Sequence, residues 1–314
     1  MKIKLSIIFC SLIAFFLLES NGIKSSVQSD YIIQKKDGQI ILAYKAFEDF
    51  LNSDKSWKSY KSILLDPFPS VQKVHNRMIE WGSIDIVKFP KEVENFKKDD
   101  FEKFMTQYDL KTINYLYDSV IEMAHKVLPP VSNKKVDLCF YLPYGGCFVI
   151  PEDSLNTICV SMYIDPAEAE KIMAHEYSHI LHIDRKPKET LTLRGEVVSE
   201  GMAVYLTNRI IKIDVSNSVP FMPKSSFEWC MNNEQQIKDS IKLELNDTSQ
   251  RLYKRYISDG AGFSVPPKGF VEKTAYFIGY RIIEKCINKG MTIEEICSLG
   301  SEAVIEKSEY FKNK

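Results

Sequence analysis

The sequence has no surplus of either charge: 41 Lys and Arg stand against 42 Asp and Glu, a formal net charge of −1. A chain that grips nucleic acid through its phosphates carries a basic stripe or patch, and this balance excludes that class of partner. Gly/Ser-rich and low-complexity stretches are missing, and so are internal repeats, which excludes flexible tethers and solenoid arrays. Seven cysteines include no Cys-x-x-Cys pair, so a thiolate zinc site is not expected. The apolar run Ile7–Leu18 has about 12 residues, short of the roughly 20 that cross a bilayer as a helix. Histidine is scarce, at five residues, which makes any grouping of histidines informative.

The first residues have the layout of an export signal. Lys2 and Lys4 give a positive start, the run Ile7–Leu18 follows, and Ser20-Asn21-Gly22 offers small residues for cleavage after Gly22. Residues 1–22 are therefore expected to be a signal peptide, the alternative being an uncleaved anchor. The protein is expected to be exported, periplasmic or extracellular, with no stable membrane span after removal of the signal. Six cysteines remain, enough for three disulfides or for buried free thiols.

Residues 31–128 read as a mostly helical N-terminal region. Tyr44, Phe47, Phe50 and Leu51 mark one apolar stripe; Leu110, Ile113, Tyr117, Val120, Ala124 and Val127 mark a longer one. Pro129-Pro130 ends this part. The period then changes, with strands predicted at Val136–Leu142, Cys147–Ile150 and Thr157–Ile164 around a turn at Pro143–Gly146. Asp165-Pro166-Ala167-Glu168 starts a helix running to about His182, with Asp165 as cap and Pro166 in the first turn. Thr190 caps a second helix over 191–210. Further helices are expected at 227–256, 271–289 and 301–312, with a loop at 257–270. The fold class is α+β, mainly helical, with a small sheet before the helix that starts at Pro166.

That helix carries His175-Glu176-Tyr177-Ser178-His179. Two histidines four apart share one helix face and can chelate one ion. Glu176 is placed to act as general base on a water activated there. A catalytic zinc site needs a third protein ligand and one open position. The longer three-histidine pattern fails, because His182 stands where it needs glycine and Arg185 where it needs histidine, and Asp184 is one position off for its Asp variant. Glu196 and Glu200, four apart on the next helix, remain. Glu200 is preferred: Gly201 and Ala203 beside it are small and would let this helix approach the metal helix. Glu196 is left to orient a ligating histidine.

Glu200 with the histidine pair resembles the gluzincin class of metallopeptidases. The run Ser-Glu-Gly-Met-Ala-Val-Tyr at 199–205 is similar to the zinc-glutamate run of membrane-alanyl-type aminopeptidases. A closer resemblance, over about residues 110–312, is to the YjaZ-like predicted zinc-dependent protease family, a domain of unknown function. Its matching pieces are Pro143-Tyr144-Gly145-Gly146, His-Glu-Tyr-x-His at 175–179, Ser-Glu-Gly-x-Ala at 199–203, and Ala-Tyr-Phe-Ile-Gly-Tyr-Arg at 275–281, where Ala275 replaces a family glycine. The resemblance implies a zincin-like metallopeptidase domain over 129–314. It implies Zn2+ bound by His175, His179 and Glu200, Glu176 as base, and a peptide or protein substrate. By analogy with the gluzincin tyrosine that faces the oxyanion, it makes Tyr276 a second catalytic candidate. Tyr280 shares the helix face of Tyr276, and Arg281 could pair with a substrate carboxylate or with Glu196. The strand at 157–164 could take an extended peptide along a sheet edge. The competing reading is a non-catalytic exported protein that binds metal or a protein partner; the intact Glu176 speaks against it.

Overall fold

A computed structural model describes residues 29–143, 145–257 and 265–312. The expected export signal, Cys10, Tyr144 and the centre of the expected 257–270 loop lie outside the described residues. The fold is mainly helical α+β, with one mixed five-stranded sheet. No helix among the described residues is long and apolar enough to cross a membrane. The described residues form two compact units, each interrupted in sequence: those up to 108 with those of 134–163, and those of 109–133 with those from 164 onward.

The first unit holds the sheet. Strands β1 (Ile32–Lys35) and β2 (Gly38–Ile41) form an antiparallel hairpin, followed by helices α1 (Ala43–Leu51) and α2 (Pro69–Glu80). Strands β3 (Lys135–Tyr141), β4 (Phe148–Ile150) and β5 (Leu155–Ser161) complete it in the order β1-β2-β3-β5-β4. The β2–β3 and β3–β5 pairs are parallel, and β4–β5 is antiparallel. From Val136 to Tyr141 and from Asn156 to Ser161 every residue is buried, as expected of parallel strands covered on both faces. A single charge sits in that interior: Asp137 accepts from Ser70 Oγ at 2.5 Å and from Gln39 Nε2 at 3.0 Å, tying α2 and β2 to β3.

One expectation is extended here and one is corrected. The N-terminal region opens with a hairpin, which β-branched Ile32, Ile33, Ile40 and Ile41 favour and which turns through Lys36-Asp37. Strand β5 lies between β3 and β4, so both of its edges are already paired and it cannot accept an added peptide strand.

The second unit is helical: α3 (Leu110–Val127), α4 (Pro166–Ile183), α5 (Leu193–Ile211), α6 (Lys224–Asn232), α7 (Glu234–Lys242), α8 (Gln250–Tyr256), α9 (Thr274–Asn288), α10 (Ile293–Cys297) and α11 (Ser301–Ser308). Asp165 caps α4 by accepting from Glu168 N at 2.9 Å, as its sequence predicts. The cap of α5 is Thr192, which accepts from Gly195 N at 3.2 Å, two residues beyond Thr190. The single helix expected over 227–256 is three, broken at Asn233 and again after Lys242. Helix α5 packs against both α4 and α9. Gly201 and Gly279 meet where α5 crosses α9: a Cβ on Gly201 would lie 2.0 Å from the Gly279 carbonyl carbon, and one on Gly279 would lie 2.0 Å from Val197 O. Gly201 therefore admits α9, not the metal helix. The cysteines of the described residues are free thiols, five buried and Cys147 half-buried.

Candidate metal centre

His175 and His179 lie on α4 among buried Ile172, Met173, Ile180 and Leu181, and both imidazoles are themselves buried. Glu200 lies on α5 and is buried as well. Their ligand atoms converge. His175 Nε2 is 3.1 Å from Glu200 Oε2, His179 Nε2 is 3.5 Å from the same oxygen, and the two nitrogens are 3.2 Å apart. Ligands about 2.0–2.1 Å from a tetrahedral zinc ion stand roughly 3.3–3.4 Å from one another, so the triangle has the size of three corners of such a site. Hydrogen bonds alone leave at least one of its three edges unfilled. Each Nε2 brings one proton at most, and two protonated nitrogens would oppose each other across the 3.2 Å edge. A cation at the centre satisfies all three atoms. His175, His179 and Glu200 form the one group of three or more such ligand atoms among the described residues.

The charges point the same way. Burial alone would raise the Glu200 carboxyl, but the imidazoles of His179 and His175 outweigh it and hold that carboxyl well below its usual range. Burial likewise disfavours a proton on His179, and the Glu200 carboxylate reverses this and draws its affinity up. In His175 burial wins, and the imidazole falls to about 4. A buried carboxylate with two imidazole nitrogens around it is a donor set suited to zinc.

Around the triangle, Ser199 Oγ lies 3.3 Å from His179 Nδ1. With Nε2 turned to the triangle, Nδ1–H donates to this hydroxyl and fixes the tautomer. Sequence reasoning gave the orienting role to Glu196; the structure gives the contact to Ser199, which the 199–205 run contained but did not single out. Glu196 stays outside the triangle, its carboxyl raised by burial and by Glu200. His175 Nδ1 is buried without a hydrogen-bond partner. Glu176 follows His175 on the same helix and is half-buried. The Tyr276 ring, on α9, stacks on His175 with centroids 5.7 Å apart and planes at 21°. Of the residues set aside by spacing, Asp184 accepts from Ser132 and Arg185 donates to the carbonyls of Leu181 and Pro129, while His182 is buried further along α4 with neither ring nitrogen hydrogen-bonded. Arg281 pairs with Glu234 and Glu284, and Tyr280 donates to Glu284 at 2.9 Å. Neither suggested partner of Arg281, a substrate carboxylate or Glu196, is therefore needed to explain it.

Residues 130–306 match the family described as predicted Zn-dependent protease (DUF2268). The chain belongs to this family. No curated protein matches it. The matched span of this DUF2268 member contains the whole triangle together with Glu176, Ser199 and Tyr276. It also contains the Gly201–Gly279 crossing, which gives the second glycine of the 275–281 motif a packing role: it sets how closely α9 approaches α5.

Proposed function

We propose that the protein is an exported zinc peptidase of gluzincin type, in which a zincin-like arrangement of α4 and α5 forms the metal centre. One observation carries the reading. Three buried ligand atoms from His175, His179 and Glu200 converge at zinc-site dimensions, with a carboxylate, Glu176, next to the first of them on the same helix. The family description agrees with it.

His175 Nε2, His179 Nε2 and Glu200 Oε2 would hold the ion. When bound, zinc supplies a Lewis acid that acidifies water and polarises a carbonyl. Glu176 accepts the proton as water attacks the scissile carbonyl carbon, and delivers it to the amine nitrogen as the C–N bond breaks. Tyr276 is assigned to the carbonyl oxygen, where its phenol donates to the negative charge that gathers as water adds. Ser199 holds the His179 ring in register. Export rests on the charged start, the apolar run and the small residues of positions 1–22.

The test is a screen of the full chain, loaded with zinc, against a mixed library of internally quenched peptides. Hydrolysis that is lost in Glu176→Gln, with zinc still bound, supports the reading. Hydrolysis that survives this change overturns it.

A further inference from the structure

Lys273, the residue before α9, sits where a lysine is expensive. Its side chain is 5% exposed, and an ammonium is costly to bury. Its φ of 59° is left-handed, a region that residues with a Cβ avoid. It stands at the positive end of a helix, where a cation is repelled. An apolar side chain of similar length would fill the space without these costs.

Its contacts show what the residue holds together. Lys273 Nζ donates to Pro220 O at 2.7 Å. It lies over the Tyr276 ring at 5.0 Å and over the Phe221 ring at 5.3 Å, both favourable cation–π distances. Phe221 is itself left-handed, with φ 57°, and its N–H donates to Glu168 Oε1 at 3.0 Å in the first turn of α4. Glu168 is paired with Lys171 at 2.6 Å. The contacts therefore run from the start of α4 through the Pro220–Phe221 turn to Lys273, then to Tyr276 and its stacking on His175. Strained backbone persists where surrounding contacts over-determine it, and such places are often functional.

We propose that Lys273 is a positioning residue of the hydrolytic site: its ammonium clamps Tyr276 against His175 and locks the Pro220–Phe221 turn. The inference rests on the zinc-peptidase reading for its catalytic part; its structural part is measured without turnover.

The experiment compares Lys273→Met, Lys273→Arg, Tyr276→Phe and the Met/Phe double variant in the full chain. It reads kcat and KM on the best library peptide, zinc affinity by competition with a chromophoric chelator, and amide exchange at Phe221. Lys273→Met is expected to lower kcat by about 100-fold with a KM change below about threefold, as a misplaced catalytic group does. Lys273→Arg should recover about tenfold of that loss, and the double variant should be no slower than Tyr276→Phe, because the two act as one unit. In Lys273→Met, Phe221 should exchange faster, and zinc affinity is read so that any fall in kcat is measured on fully loaded protein. If Lys273→Met does not fold, Lys273→Gln takes its place with the same expectations. Unchanged kcat in the zinc-loaded variant, or losses that multiply, would each overturn the proposal. If the zinc-loaded parent hydrolyses no peptide, the peptidase reading falls, and unchanged exchange at Phe221 separately removes the clamp.

Discussion

Two buried histidine environments in this chain share their degree of burial and little else. In the first unit, His75 on α2 is 4% exposed and boxed by Trp57, Tyr60 and Phe89, with ring centroids 6.1, 6.0 and 5.2 Å away. Its Nδ1 has no hydrogen-bond partner, and burial pushes the imidazole down to about 4. In the second unit, His175 and His179 are just as buried but turn their Nε2 atoms toward one carboxylate. Burial by itself gives a neutral packing element. Convergence of nitrogens on a buried anion gives a group that could hold a cation. The comparison says which histidines should matter to metal and which to folding.

The sharpest way to break it is to remove one histidine from each side. His179→Ala takes away one of three ligands and is expected to abolish zinc binding and all hydrolysis, read by elemental analysis of the purified protein. His75→Phe keeps the aromatic box filled and is expected to retain one zinc per chain. Loss of zinc in His75→Phe, or full zinc in His179→Ala, would erase the distinction. Next in size is Glu176→Gln. It leaves the triangle intact, so zinc content should be unchanged, while removal of a general base lowers kcat by about 10²–10⁴-fold.

How much of this difference the sequence carries depends on the range of the interactions. His175, Glu176 and His179 are legible because a helix turns sequence spacing into a shared face, and Asp165-Pro166 marks where that helix starts. Glu200 is legible as a residue type on a following helix, although its distance to His175 depends on how α4 and α5 pack. The role of Gly201 was read on the wrong side for the same reason: a small residue announces a close approach without naming the neighbour, and here the neighbour is Gly279, 78 positions on. Ser199, Lys273 and the Phe221 turn are not singled out by the sequence, since their contacts join residues 20 to 53 positions apart. The β1–β2 hairpin is local, with its turn at Lys36-Asp37, but it is short, and the longer helical stripes downstream of it dominate a reading of residues 31–128 as mostly helical. The units themselves are interrupted in sequence, which a linear reading does not see.

The pH dependence of folding sharpens the comparison from the other side. His75 is neutral in the fold down to about 4, whereas in the unfolded chain it takes a proton near 6.5. The unfolded state therefore binds more protons between these values, and stability falls as pH drops from about 6.5 to about 4 and then levels. At 1.36 kcal/mol per unit, the full contribution is about 3 kcal/mol. His75→Phe removes this group, so urea unfolding measured from pH 7 to pH 4 should show a shallower loss than the parent by about that amount. An acid limb of equal steepness in both proteins would mean that the His75 ring reaches water or a partner when it charges.

The smallest effect tests whether a partner at the far nitrogen helps to hold a ligand ring. His179 has Ser199 Oγ at its Nδ1, while Nδ1 of both His75 and His175 has no hydrogen-bond partner. If the hydroxyl orients the ligand, Ser199→Ala should weaken zinc by about tenfold, the lower end of what loss of such a partner does. Ser199→Thr, which keeps the hydroxyl, should recover most of it. Helix α5 loses no cap and only one exposed-to-intermediate side chain is shortened, so thermal unfolding of the zinc-free protein should stay within about 0.5 kcal/mol of the parent. A zinc affinity unchanged by Ser199→Ala would show that packing alone holds the His179 ring, as it holds His75, and the two environments would then differ only in the carboxylate that Glu200 brings.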